Sequence, residues 1–325
     1  MSATVVVTGI GGNVGQGILR NIRRRFPDLR LVGTNNEAFS GGNHLCDAVY
    51  AVPFGDSEAY LPAIADIVAR ESAALIVPAT DLEAHHLSVH RAALPAAVAV
   101  SPAESTALFL DKWRTAEAFA RHGIAFAASC LPDEYCGQFP RVLAKPRAGR
   151  GSRGVVRDPE RPDAFAADHV LQELLDGPEL TTAFYVTRAG ALLGQLTMER
   201  RLANGATERC RVTHDHDAEI ESIVRAMVAH FPLVGSINVQ SIVVAGSPVP
   251  FEVNARISGT NSIRWQFGFD DVTWTIEEWL HGGTPGPPRI TGGTAVRVLT
   301  DVVYPELDEP DALAGASAAT PHAVF

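Results

Sequence analysis

The stretch SINVQSIVVAGSPVPFEVNARISGTNS, residues 236–262, reads as two apolar strands, about INVQSIVV and PVPFEVN, joined by the turn AGSP. Such a hairpin sets Gln240 beside Glu252 and Asn254, and the last two, two residues apart, point to one face of the sheet. One carboxylate and two amides then offer hard oxygen donors together. Magnesium on a nucleotide needs only one or two such carboxylate-type ligands, because phosphates and water complete its octahedron. Arg256 follows on the same side if the strand continues, placed to hold a phosphoryl group. The structural alternative is a plain polar sheet face; the interleaving of acid, amide and arginine with apolar Phe251, Val253 and Ile257 speaks against it.

Upstream, VLAKPRAGRGSRGV (142–155) is an apolar strand ending in Lys145, followed by a loop whose Gly149, Gly151, Ser152 and Gly154 let backbone amides fold over a triphosphate. Arg147, Arg150 and Arg153 add positive field. No Gly-Lys-Ser/Thr opens a helix here, so the loop is not a Walker A motif. The alternative is a glycine-rich hairpin with solvated arginines. HVLQELLDGPEL (169–180) then offers Gln172, Glu173, Leu174 and Leu175 to an adenine edge and Glu179 to ribose hydroxyls, although, read alone, a hairpin with solvated carboxylates is the better account of that segment. Composition sharpens the picture: of 27 basic residues only Lys112 and Lys145 are lysines. An ammonium is a compact point charge that fits between phosphate oxygens, whereas arginine presents a wide planar fork.

The N-terminal third alternates strand and helix. TVVVT (4–8) is a strand, GIGGNVGQG a turn, ILRNIRRRF a helix with an arginine-rich outer face; RLVGT (30–34), a helix over 57–70 and ALIVP (74–78) continue the pattern. That alternation implies a parallel sheet covered on both faces. Residues 101–123 read as helical up to Gly123, and a new unit begins near there. Thr8, Gly9, Gly12 and Gly15 fit the TGxxGxxG spacing of short-chain dehydrogenases. The catalytic half of such an enzyme is missing, since Leu108 and Arg141 stand four residues before the two lysines where a tyrosine belongs, and no acid closes the second strand. A structural turn or an acceptor pocket are the other readings.

The 325 residues, 46% hydrophobic, can bury the cores of two or three units. A formal charge of −10 argues against nucleic acid as partner. The start MSATVVVTGIGG lacks a signal-peptide or membrane-span pattern, so a cytoplasmic protein is expected. Cys46, Cys130, Cys136 and Cys210 show no CxxC pair and read as small hydrophobes. His214 and His216, and the pair His85 and His86, read as polar loop or helix-end residues.

Taken together, residues 112–264 resemble the ATP-grasp superfamily, in particular the branch similar to the large subunit of carbamoyl-phosphate synthase. The likeness rests on Asp111-Lys112 before a helix, Lys145 with its glycine loop, Gln172-Glu173, Glu179, and EVNAR at 252–256. VVVTGIGGNVGQG, GTN at 33–35 and VPATDLEAHHL at 77–87 resemble the Rossmann-like preATP-grasp domain of that branch. Thr182, Ala183 and Leu180 depart from the pattern after the ribose glutamate.

The resemblance implies an α/β and α+β chain: a Rossmann-like preATP-grasp domain over 1–105, a small or lid region over 106–185 and a C-terminal catalytic lobe over 186–325. It implies an ATP-dependent carboxylate-amine ligase working through an acyl phosphate. Lys112, Lys145, Gly149, Gly151, Ser152, Gly154, Gln172, Glu173, Leu174, Leu175 and Glu179 would bind ATP, and Gln240, Glu252 and Asn254 two Mg2+ ions, or Mn2+. Lys145 and Arg256 would serve phosphoryl transfer. Arg201, Arg211 and Arg264, with Arg200 and Arg209, are candidates for substrate or triphosphate. Partners would be small-molecule carboxylates and amines, without nucleic acid or membrane, in a possible homodimer. A dehydrogenase or epimerase and a non-catalytic ATP-binding regulator are the competing classes.

Overall fold

The computed structural model describes residues 3–149, 154–305, 307 and 322–324. The N-terminal unit follows β1 (Thr4–Val7), α1 (Asn13–Arg25), β2 (Arg30–Asn35), β3 (Ala48–Ala51), α2 (Tyr60–Arg70), β4 (Ala73–Val77), α3 (Asp81–Val89) and β5 (Ala97–Val98). Its strands pair in parallel in the order β3-β2-β1-β4-β5. Val5 and Val7 face the cluster built with Ile18, Leu19 and Ile22 of α1, while Val6 faces that of Ile64 and Val68 of α2. Both sheet faces are thus covered, which is why the valines of β1 run without alternation.

The helical stretch 101–123 is two helices, α4 (Ala103–Leu110) and α5 (Lys112–Arg121), the second beginning at the Asp111-Lys112 pair. Asp111 leaves helical geometry (φ −98°, ψ 110°) and its carboxylate accepts from the amides of Trp113 and Arg114, so it caps α5. Gly123, just beyond α5, has φ +65°, a conformation that glycine adopts without strain.

Then come β6 (Ser129–Cys130), β7 (Val142–Pro146), β8 (Val156–Arg157) and β9 (His169–Glu173), a small antiparallel sheet in the order β6-β9-β7-β8. A larger antiparallel sheet is built from β10 (Glu179–Val186), β11 (Leu192–Ala203), β12 (Ala206–Val212), β13 (Gly235–Val244), β14 (Ser247–Asn254) and β15 (Thr294–Val296), with α6 (Asp217–His230) after β12. Its order is β14-β13-β10-β11-β12-β15. Alternate residues of β10 serve two cores. Leu180, Phe184 and Val186 pack under Ile220, Val224 and Met227 of α6; Ala183 and Tyr185 pack with Phe269 and Trp274.

Trp274 belongs to α8 (Asp271–Trp279), which follows the short α7 (Asn261–Arg264); a two-stranded hairpin, β16 (Val302–Val303) with β17 (Ala323–Val324), closes the described chain. The β13–β14 turn is Ala245-Gly246, both at positive φ (48° and 86°), as a two-residue hairpin loop requires. The sheet change falls between Glu173 and Glu179. The Ala-rich tail after Pro310 lies outside the described residues up to His322.

The N-terminal glycines serve packing. A Cβ on Gly15 would lie 2.6 Å from the Gly9 carbonyl oxygen, and one on Gly17 2.2 Å from Asn261 Oδ1, so α1 can press both on its own turn and on α7. Asn21 donates to the Asn261 carbonyl at 3.2 Å, Asn261 donates to the Val14 carbonyl at 3.2 Å, and Arg24 pairs with Asp270 at 2.7 Å. Asn35, at the end of β2, accepts from the Gly11 amide at 3.3 Å. The dehydrogenase reading finds no support here: an amide stands over the turn where that reading wants an acid.

Candidate active site

The small sheet and the β13–β14 hairpin face each other across a cavity of about 370 Å³. Lys112, Lys145, Gly149, Gln172, Glu173, Leu174, Leu175, Glu179, Gln240 and Glu252 line it, together with apolar Leu143, Pro146, Val155, Leu202, Ile242 and Phe251 and with Arg157. Residues up to 140 positions apart therefore meet in one place: Lys112 from the start of α5, Lys145 from β7, Glu252 from β14. Leu202, Ile242 and Phe251 are site residues that sequence reasoning misses; their alternation along β11, β13 and β14 signals burial but not the chamber they wall.

Lys145 is 3% exposed; its Nζ donates to Gln172 Oε1 at 2.8 Å and to the Phe251 carbonyl at 3.2 Å. Burial, aided by the neighbouring Lys112 charge and opposed by Glu252, lowers its pKa from 10.5 to about 7. Gln172, expected at an adenine edge, is held by this lysine and by its own donation to Ser129 at 3.1 Å. Lys112 is 8% exposed and donates to the Gly149 carbonyl at 3.4 Å. Gly149 and Gly154 are in place at the two ends of the loop; Gly151, Ser152, Arg150 and Arg153 lie outside the described residues. Arg147 does not face the cavity as free charge. It grips Asp111 at 2.6 Å, and the carboxyl is thereby held below its usual range although burial works the other way.

The oxygen donors gather as the hairpin register dictates, with Gln240 opposite Glu252 and Asn238 opposite Asn254. Asn254 donates to Glu252 Oε1 at 3.1 Å and accepts from Gln240 at 3.4 Å. Burial pushes the Glu252 pKa up, but Lys112, Lys145, the Asn254 amide and Arg256 outweigh it and hold the carboxyl ionised below its ordinary range. Glu252 and Gln240 line the cavity and Asn254 stands behind them. One charged and two neutral oxygen donors fit a divalent cation that shares its shell with phosphates.

β14 ends at Asn254, so Arg256 lies beyond the strand whose expected continuation would set it beside Glu252 and Asn254. It pairs with Asp81 of α3 at 2.6 Å, donates to the Ile257 carbonyl at 3.1 Å, and its Nε is buried without a partner among the described residues. Asp81 carries no mark of this role in the sequence, since 175 positions separate it from Arg256.

Of the arginines expected to meet substrate or triphosphate, Arg200 alone touches the cavity wall. Both its Nε and Nη2 donate to Glu179 Oε1, at 2.9 and 2.5 Å. Arg201 and Arg209 are exposed cross-strand neighbours, and Arg211 pairs with Glu199 at 2.6 Å. Arg264 corrects the expectation of a substrate contact. It is fully buried, bonded to both oxygens of Asp271 and to Ser258 and Thr260, so it is a core ion pair. His86 bonds the Gly55 carbonyl, His85 approaches Thr106, and His214 approaches Asp217.

The sequence model of the family described as ATP-grasp domain matches residues 109–260. Among solved structures, the chain is similar to the N5-carboxyaminoimidazole synthetase of Staphylococcus aureus in complex with ADP, at 13% identity and TM-score 0.75, covering 91% of this chain and 82% of that one. It is similar to the biotin carboxylase domain of 2-oxoglutarate carboxylase from Hydrogenobacter thermophilus, a dimer solved with MgADP, ADP and bicarbonate (17%, TM-score 0.70, 90% and 74%). A third likeness is to the L-amino acid ligase of Bacillus licheniformis (14%, TM-score 0.66, 86% and 74%). No curated protein sequence matches. The likenesses show a shared fold over most of the chain, and the match identifies residues 109–260 as an ATP-grasp domain.

Proposed function

We propose that the protein is an ATP-dependent ligase that activates a small-molecule carboxylate as an acyl phosphate and passes the acyl group to an amine or another nucleophile. The observation that carries this reading is the convergence of the chain's two lysines with Glu252 and Gln240 on one cavity. In it, backbone and side chains of Glu173, Leu174 and Leu175 receive the adenine. Glu179 keeps Oε2 for the ribose, because Arg200 takes only Oε1. Lys112 and Lys145 face the phosphates, and Glu252, Gln240 and Asn254 would hold one or two divalent cations, Mg2+ or Mn2+. When bound, such a cation neutralises phosphate charge and fixes its orientation.

A carboxylate oxygen attacks the γ-phosphorus in line; the bond to the β-phosphate oxygen breaks and ADP leaves. Lys145, Lys112 and Arg256 stabilise the charge on the transferring group. The nucleophile then attacks the acyl carbon, phosphate departs, and an attacking amine loses a proton. Positioning supplies most of the acceleration. Among the described residues no helix is long and apolar enough to cross a membrane. The reading carries with it a cytoplasmic homodimer acting on small molecules; of the units expected over 1–105, 106–185 and 186–325, the second boundary cuts β10, which belongs with the larger sheet from Glu179 on.

Calorimetric titration with ATP and magnesium, beside NADH and NADPH, tests the reading on the wild type and on Lys145→Ala. Magnesium-dependent ATP binding that weakens sharply in the variant is expected. Binding of a dinucleotide with indifference to ATP refutes it, and ATP binding without phosphate release in the presence of any carboxylate would mark a regulator.

A further inference from the structure

A second cavity, also about 370 Å³, shares Pro146 and Gly149 with the first. Its apolar wall is Leu82, Leu110, Pro146 and Ala148; its polar lining side chains are Thr80 and Asp81. Thr80 is spent on capping α3, donating to Glu83 Oε2 at 2.7 Å and accepting from the Glu83 amide at 3.3 Å. Asp81 is differently placed. Its Oδ2 takes Arg256 at 2.6 Å, and among the described residues no group bonds its Oδ1. The second cavity thus offers an apolar wall and a carboxylate with an open oxygen, and that carboxylate's other oxygen holds the Arg256 guanidinium.

A carboxylate with an open oxygen, a guanidinium bonded to it and an apolar wall together complement a zwitterion with an apolar side chain. We infer that the second cavity binds the carboxylate substrate, and that this substrate is an apolar α-amino acid. Its ammonium sits on Asp81, its carboxylate on Arg256 facing the ATP cavity, and its side chain between Leu82, Leu110, Pro146 and Ala148. The inference rests on the ligase reading above. An acceptor-only carboxylate partly withdrawn from water favours an ammonium, and it penalises an acid that lacks one by leaving the oxygen unpaired against an apolar ligand. An acidic side chain is rejected by the same charge.

The test is ATP-dependent hydroxamate formation with hydroxylamine as nucleophile, preceded by MgATP titration of each protein. Atoms balance simply: carboxylate, ATP and hydroxylamine give acyl hydroxamate, ADP and phosphate. With the wild type, L-leucine is activated and 4-methylpentanoate, the same skeleton without the amine, shows kcat/KM about 10- to 100-fold lower. Asp81→Asn raises KM for leucine and brings the two acids within a few-fold of each other. Asp81→Glu retains part of the preference. If Asp81 only props Arg256, both acids lose activity in the same ratio and the preference survives, which overturns the inference. Equal use of leucine and 4-methylpentanoate by the wild type, or activation confined to acids without an amine, overturns it too while leaving the ligase reading intact. Absence of MgATP binding refutes the ligase reading itself.

Discussion

Lys145 is a residue of the cavity whose charge state the fold brings into the neutral pH range, and this gives a quantitative expectation. Its pKa of about 7 lies far below the ordinary 10.5 because the amine is buried, and a bound triphosphate returns it toward the ordinary value. At pH 8, one unit above a pKa of about 7, roughly a tenth of the free protein carries the proton, whereas nearly all of the complex does. ATP binding at pH 8 therefore takes up about 0.9 proton, and above pH 7 affinity falls by up to about tenfold per unit. At pH 6 the uptake at this lysine drops to about 0.1 proton.

The assay is calorimetry of MgATP binding at pH 8 in several buffers, where the slope of observed heat against buffer ionisation enthalpy reads the protons exchanged. Lys145→Met and Lys145→Arg, one never charged and the other always so, lose the uptake. A flat slope in the wild type, or the same slope in Lys145→Met, refutes the argument. The sign for stability runs the same way. The folded pKa lies below the unfolded one, so the free fold is disfavoured most below pH 7 and gains stability as the pH rises from about 7 toward 10.5.

Arg264→Met leaves Asp271 buried and unpaired and should cost about 3–5 kcal/mol in urea unfolding, whereas Arg211→Ala, an exposed pair, should cost under about 1 kcal/mol. Glu252→Gln keeps the fold by circular dichroism but raises the magnesium concentration for half-maximal ADP release by about 10- to 100-fold or more. Gly15→Ala drives a Cβ to 2.6 Å from the Gly9 carbonyl oxygen, and thermal unfolding should register about 1–3 kcal/mol of overpacking without altered nucleotide selectivity.

Features with a local signature are legible in the amino-acid sequence. The parallel unit shows in the period of its strands, the β13–β14 hairpin in its AGSP turn, and the lysines in their rarity. Long-range pairings do not show. Nothing near Arg264 announces Asp271 as its buried partner, and Arg147 belongs to Asp111 only because α5 begins beside β7. The break at Asp111 does not show in the apolar spacing, which reads through it; it shows only in the resemblance, which sets Asp111-Lys112 before a helix. Asp81 looks like an ordinary first-turn acid, which it also is; its bond to Arg256 depends on how α3 docks beyond β14.

The seam between α1 and α7 decides which mass in the molecule can travel. Pulling it apart would exchange the Asn21–Asn261 and Asn261–Val14 hydrogen bonds for water, at about 0.5–1.5 kcal/mol each, and lift the Arg24 guanidinium from the Trp265 ring it covers at 3.7 Å. The small sheet and the strand that leads into it touch β14 at far fewer polar points, the Ala127 amide on the Pro250 carbonyl and Lys145 on that of Phe251. On that comparison the small sheet is expected to shift against β14 more readily than α1 parts from α7, which hydrogen exchange with and without MgATP would register at β7 and β9 before α1.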